Sequence, residues 1–315
     1  MPNLRIEGVV VATVLPFDVE GAIDWSGYAR VLDHCACLDG ITAVFVNGHA
    51  GEGASLTPAE RAQVIERTRK HVGTGKPILS GIIAFSTAAA VEQAREAEAA
   101  GADCAVLFPP PLLGNGASAT ARAPVAYVKA VSEAIDIPVS LFQYPLTSGL
   151  GWTTDTLVEM ARIPGVVAIK EGSDCMRAYE ENWHRIKEAN PDVAILPSNY
   201  NWFLAQLAVG GDGLLSGLAS LVPDMLIDLW TAAQAKDLDA MRAANDRLRP
   251  VVRCIYGTPP LIDMHTRIKA GLQSLGVIAN AAPRAPLMPV SDAVRAEIER
   301  TMKGVGLRSG SRTTA

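Results

Sequence analysis

Eight short apolar runs recur along the chain, most of them followed by a stretch with helical spacing of its apolar residues. The runs are Val9–Val14, Ala43–Asn47, Ile78–Ile83, Cys104–Phe108, Val139–Tyr144, Val166–Lys170, Val193–Pro197 and Gly213–Gly217. Aliphatic, β-branched runs of this length read as strands buried on both faces of a parallel sheet. Amphipathic helices are expected at Pro58–His71, Thr87–Ala100 and Ala121–Ala134. Thr57-Pro58-Ala59-Glu60 places a capping threonine, a proline and an acid where a helix begins. Alternating strands and helices predict an α/β fold, a (β/α)8 TIM barrel, with a doubly wound open sheet as the alternative. From Pro223 the strand signals cease, and helices are expected at Pro223–Ala235, Asp239–Val252 and Pro260–Leu275. The chain thus divides into barrel strands and helices over 1–222, the last barrel helix and a C-terminal helical extension over 223–303, and a polar tail over 304–315.

In a barrel of this kind, the C-terminal ends of the strands carry the chemistry. Lys170 closes the run Val166-Val167-Ala168-Ile169. A buried ammonium is unfavourable, so its pKa should fall toward neutrality. Moving from about 10.4 to roughly 7 requires roughly 4–5 kcal/mol against the charged form. The neutral amine that results attacks carbonyl carbons and forms a Schiff base. The alternatives are a lysine that reaches out to solvent and one paired with an acid.

The loop Gly48-His49-Ala50-Gly51-Glu52-Gly53 follows the second strand. Clustered glycines let backbone N–H groups converge on an anion, so Ala50 and Gly51 are candidates to hold a substrate carboxylate. A plain βα turn is the competing reading. The spacing G-x-x-G-x-G does not match the dinucleotide fingerprint. Composition narrows the classes further. The 315 residues carry a net charge of −5 without a basic block, which gives no reason to expect nucleic-acid binding. No apolar stretch reaches membrane-spanning length, and the N-terminal residues show no signal-peptide cleavage pattern. Cys35, Cys37, Cys104, Cys175 and Cys254 are scattered without paired metal spacing, which suggests a reducing, cytoplasmic setting.

These features together resemble the dihydrodipicolinate synthase / N-acetylneuraminate lyase family of class I pyruvate-dependent aldolases, from about Gly8 to Pro289. The resemblance is carried by Pro16-Phe17, the Gly48–Glu52 loop with Leu56-Thr57, Pro145 with Ser148-Gly149, and Lys170-Glu171. Gly211-Asp212-Gly213 and Arg284-Ala285-Pro286-Leu287 complete it. It implies a TIM barrel, a homotetramer or homodimer, and a 2-keto acid such as pyruvate bound as an imine to Lys170, with no metal or organic cofactor. Against the family pattern, His49 and Ala50 stand where two hydroxyl residues are usual. Phe142 stands at the usual tyrosine, Thr147 at the synthases' arginine, and Pro110-Pro111 at their aromatic pair. The tyrosine–threonine–tyrosine proton relay of a true dihydrodipicolinate synthase is therefore missing. A family lyase with a different aldehyde partner is expected.

Two residues are candidates to move protons in its place. Tyr144 shares a strand face with Phe142, and its alternative is packing at the barrel rim. His49 has an ordinary pKa suited to neutral pH, and its alternative is a loop histidine bonded to backbone. His34, His71, His184 and His265 fall in helical segments and read as structural or exposed. Leu215, on the eighth strand, is a further candidate for contact with the substrate. Asn201 and Trp202 after the seventh strand, with Trp152 after the fifth, suggest an aldehyde partner that is less polar or aromatic. Packing or an interface is the other use of such tryptophans. Two other functions remain open from the residues alone. One is a keto-acid-binding barrel with weak or lost catalysis, favoured by the missing phenol at Phe142. The other is a pyridoxal phosphate enzyme, for which Ser216 and Gly217 offer only a thin phosphate cup.

Overall fold

The computed structural model describes residues 4–308, except 115, 117–119 and 199. The part of the expected tail over 309–315 lies outside the described residues. Eight parallel strands form one sheet: β1 (Gly8–Ala12), β2 (Ile41–Val46), β3 (Ile78–Ile82), β4 (Cys104–Leu107), β5 (Val139–Gln143), β6 (Val166–Glu171), β7 (Ala194–Pro197) and β8 (Gly213–Ser216). The hydrogen-bonded order runs from β7 through β6, β5, β4, β3 and β2 to β1 and then β8. Asp212 closes the remaining seam. Its N–H donates to the Ile195 carbonyl at 3.0 Å, and its carboxylate accepts from the Ile195 N–H at 2.7 Å. The sheet is therefore a barrel and not an open doubly wound sheet.

The helices lie outside. They are α1 (Trp25–Val31), α2 (Pro58–Val72), α3 (Thr87–Ala99), α4 (Arg122–Ser132), α5 (Thr154–Ala161), α6 (Met176–Ala189), α7 (Phe203–Val209) and α8 (Pro223–Gln234). The extension adds α9 (Leu238–Tyr256), α10 (Met264–Ser274) and α11 (Asp292–Gly304). Helix α2 begins as its sequence dictates. Thr57 accepts from the Glu60 N–H, and Glu60 reaches back to the Thr57 N–H at 2.9 Å. Each strand packs aliphatic side chains on both faces, and every residue of β1 is buried.

Two buried polar contacts fix the strand ends that matter. Gln143, at the end of β5, clamps the backbone of Trp152 through two hydrogen bonds of 2.8 and 3.0 Å. This holds the intervening loop over the barrel mouth. Trp152 itself is 1 % exposed, so it packs in the core and does not overhang the mouth. Glu171 points away from the lumen and accepts from Asn182 on α6 at 3.1 Å. Burial pushes its carboxyl up to about 7. Lys170 and Glu171 thus take opposite faces of β6, as strand alternation requires.

Candidate active site

Residues of β1, β2, β5, β6 and β8 meet α9 and α10 of the extension at the barrel mouth. They enclose a cavity of about 240 Å³ whose lining includes Phe45, His49, Ala50, Phe142, Tyr144 and Lys170. Lys170 is 9 % exposed, and its Nζ lies 3.7 Å from the centre of the Phe142 ring and 5.6 Å from that of Phe45. Among the described residues no carboxylate forms an ion pair with it. Burial brings its pKa down to about 7. The facing ring offers the ammonium some compensation, but a cation–π contact is worth only roughly 0.5–2 kcal/mol. The amine is consequently part-neutral near physiological pH, which a Schiff-base nucleophile requires.

The glycine loop leaves β2 through Asn47, whose backbone is left-handed with φ 56°, and turns again at Glu52 with φ 51°. The Glu52 and Gly53 N–H groups are satisfied by the His49 and Gly48 carbonyls at 3.0 Å each. The Ala50 and Gly51 N–H groups make no hydrogen bond among the described residues. Ala50 lines the cavity, and Gly51 is buried beside it. Two buried, unsatisfied N–H groups are unfavourable unless an acceptor arrives, and an anion is the natural one. Gly53 has no room for a side chain: a Cβ there would stand 1.9 Å from the Asn47 carbonyl oxygen. Gly53→Ala should therefore displace the loop and destabilise the fold by roughly 3 kcal/mol or more, read by urea unfolding.

Glu52 secures this loop from behind. It is buried and ion-paired with Lys269 of α10, and its other oxygen accepts from the Arg284 N–H at 2.8 Å. The Arg284 guanidinium pairs with Glu60 at 2.6 Å and donates to the Gly21 carbonyl at 2.8 Å. The Arg284 segment thus braces the loop and the start of α2 against each other.

His49 and Tyr144 are in direct contact. The phenol oxygen lies 2.8 Å from His49 Nε2. Phe108, Phe142 and Tyr144 surround the imidazole, with ring centres 4.9 to 5.8 Å away. His49 is exposed at the open mouth, yet desolvation by the crowding rings, then the charge of Lys170, holds its pKa below the ordinary value, so the ring is neutral at pH 7. Burial raises the Tyr144 phenol, which therefore stays protonated. Phe142 packs against both Tyr144, at 4.7 Å between ring centres, and the Lys170 amine. Phenol, imidazole and amine converge on one space.

Leu215 also lines the cavity, on β8. Asn201 and Trp202 do not line it. Trp202 is 42 % exposed in the turn before α7. Tyr200 contributes instead, stacked on Tyr256 at 3.7 Å with the rings 9° from parallel. His265, expected to be structural or exposed, instead has its ring lining the cavity 6.4 Å from that of His49. Its spacing within α10 gave no hint, since docking of the extension alone brings it there. His34 bonds the Leu221 carbonyl at 3.0 Å, His71 bonds Asp33 at 2.7 Å, and His184 is exposed.

Residues 5–305 match the model of the Dihydrodipicolinate synthetase family. A 4-hydroxy-tetrahydrodipicolinate synthase of Stutzerimonas stutzeri is 28 % identical over 302 residues, covering 96 % of this chain and 99 % of that protein. The synthase of Methylibium petroleiphilum is 29 % identical over 303 residues, with coverage of 96 % and 99 %. Among solved structures, a dihydrodipicolinate synthase from Thermotoga maritima has the same fold, with a TM-score of 0.89 at 24 % identity over 96 % of this chain and 100 % of that one. The chloride-inhibited synthase from Acinetobacter baumannii, complexed with pyruvate, superposes with a TM-score of 0.85 at 25 % identity, with coverage of 96 % and 100 %.

Proposed function

We propose, from the premise that the chain belongs to the dihydrodipicolinate synthetase family, that it is a lyase acting on pyruvate or a related 2-keto acid through an imine on Lys170. The observation that carries this reading is a buried, part-neutral Lys170 amine in the same cavity as the unsatisfied Ala50 and Gly51 amides. The amides take the carboxylate, which sets the keto carbon before the amine. Attack forms a C–N bond, and loss of the carbonyl oxygen as water leaves a protonated imine. That cation accepts the electron pair released when a C–C bond breaks (aldolase) or when C3 loses a proton, the enamine so formed then expelling the C4 hydroxyl as water (hydro-lyase).

The His49–Tyr144 pair is assigned the proton transfers. Tyr144 protonates the departing hydroxyl of the carbinolamine, which leaves as water, and the neutral His49 ring holds the resulting phenolate by N–H donation across the 2.8 Å contact. In aldol cleavage the same pair takes the proton of the substrate alcohol as the aldehyde forms. Tyr144→Phe should lower kcat roughly 10²–10⁴-fold. His49→Ala should have a similar effect, and the double variant should lose little beyond either single one, because the two residues act as a unit. Steady-state kinetics on the three variants checks this.

Phe142 at the usual tyrosine position supports a second reading, a barrel that binds keto acids with weak or lost turnover. Incubation with pyruvate and borohydride, followed by intact mass, tests the imine. A covalent adduct supports the first reading, and unmodified protein removes it. The family resemblance adds a cytoplasmic location and assembly as a homotetramer or homodimer. Five free cysteines suit a reducing compartment. Exposed Leu112, Leu146 and Ile262 supply apolar surface for self-association.

A further inference from the structure

The cavity is unequal in chemistry around its mouth. The Ala50–Gly51 side offers amides, whereas the C-terminal extension brings Tyr256, Leu261, Met264 and His265. Leu261 is 49 % exposed and stands where a substrate enters. Of the charged side chains, only Lys170 and Asp174 line the cavity among the described residues, and no arginine does. Thr147, at the synthases' arginine position, is exposed and does not line the cavity. With Lys170 engaged as the imine, a second carboxylate would find no arginine or further lysine in the lining, an unfavourable burial. Tyr200 and Tyr256 lie parallel at 3.7 Å, stacked on each other, and both line the cavity at this end.

His265 supplies the one imidazole here that has no hydrogen bond among the described residues. A Cβ on Gly217 would lie 3.5 Å from both His265 Cδ2 and the Ala50 Cβ. The imidazole therefore borders the amide loop and is close enough to sense His49 and Lys170. Its surroundings keep it neutral, and a neutral imidazole offers one donor and one acceptor.

We propose that the C-terminal extension builds the second-substrate subsite, which takes an uncharged, flat, aromatic aldehyde against Tyr200 and Tyr256 with His265 hydrogen-bonded to it. This rests on the Lys170 imine reading and adds the class of its partner. Burial of an aromatic face against the tyrosines and Leu261 supplies affinity, and the imidazole supplies direction. The walls expected from Asn201 and Trp202 are replaced by residues whose positions only the docked extension fixes.

The test is a panel of three aldehydes with pyruvate: benzaldehyde, glyceraldehyde, and an aliphatic aldehyde bearing a carboxylate. Benzaldehyde should show kcat/KM at least tenfold above the other two. His265→Leu should raise the benzaldehyde KM at least tenfold, with a pyruvate KM change below threefold. Leu261→Asp, at an exposed position that folding tolerates, should reduce benzaldehyde kcat/KM at least fivefold. Preference for either of the other aldehydes overturns the proposal. So does a His265→Leu variant whose two KM values move together, or do not move. Borohydride trapping separates the two claims. An adduct without the aromatic preference removes only the subsite, whereas no adduct on the wild type removes the imine reading and the subsite with it.

Discussion

Lys170→Ala will abolish borohydride trapping of pyruvate and lower turnover by roughly 10⁴-fold or more, the scale seen when a covalent nucleophile is lost. Burial lowers the Lys170 pKa in the folded protein to about 7, below its unfolded value of about 10.4. Between those two values the unfolded chain binds more protons at this residue, so its contribution to stability rises with pH through that window. Below pH 7 the full penalty remains, roughly 4–5 kcal/mol before compensation from the facing phenylalanine rings. Lys170→Met, which keeps the side chain's length without the charge, should therefore unfold at a higher urea concentration than wild type at pH 6. The difference should shrink by pH 10. Imine formation has the related dependence: the observed trapping rate should rise through about pH 7 as the amine deprotonates. A rate that first rises near pH 10 would mean an ordinary solvated lysine.

Breaking the Glu52–Lys269 pair has the largest expected effect on the fold. Both side chains are buried, and each holds the other's charge away from water. Removal of one partner from such a pair costs about 3–5 kcal/mol, because the remaining charge has no solvent. Lys269→Met should lower stability by that amount. Glu52→Gln should cost less, since the amide still offers an oxygen to the Arg284 N–H. The effect reaches the site because Glu52 is the left-handed residue directly after the Ala50–Gly51 amides. The single variants should raise the pyruvate KM more than they lower kcat, since the loop that binds the carboxylate is displaced. The joint variant Glu52→Gln with Lys269→Met should be less destabilised than the sum of the singles. Urea unfolding and steady-state kinetics read the two effects separately, and additive losses would show that the pair is not coupled.

The strands were legible because aliphatic runs such as Val9-Val10-Val11 and Val166-Val167-Ala168-Ile169 have few other ways to be buried. Their ends differ from expectation by one or two residues, as where the second strand starts at Ile41 and not at Ala43. Lys170 stood out for the same reason: a cation closing a run that admits none. The helices of the extension were visible from their periodicity, though α9 continues to Tyr256, past the expected end at Val252, despite Pro250 within it. Helix α11 fell within the expected extension but was not singled out. Local pattern could not say where the extension docks. His265 follows the ordinary rhythm of α10, and only the Lys269–Glu52 pair and the packing of Ile268 set its ring into the cavity. Asn201, Trp202 and Trp152 show the converse. Sequence position placed them near strand ends, but Trp202 is exposed in the turn before α7, and the Gln143 clamp holds Trp152 in the core.

A crystal structure of the protein soaked with pyruvate tests the central claim most directly. Continuous density from Lys170 Nζ to the keto carbon is predicted, with the carboxylate on the Ala50 and Gly51 amides and the Tyr144 hydroxyl directed at the new bond. Pyruvate bound with no covalent link, its carboxylate on the Lys170 ammonium and the two amides unoccupied, would contradict it.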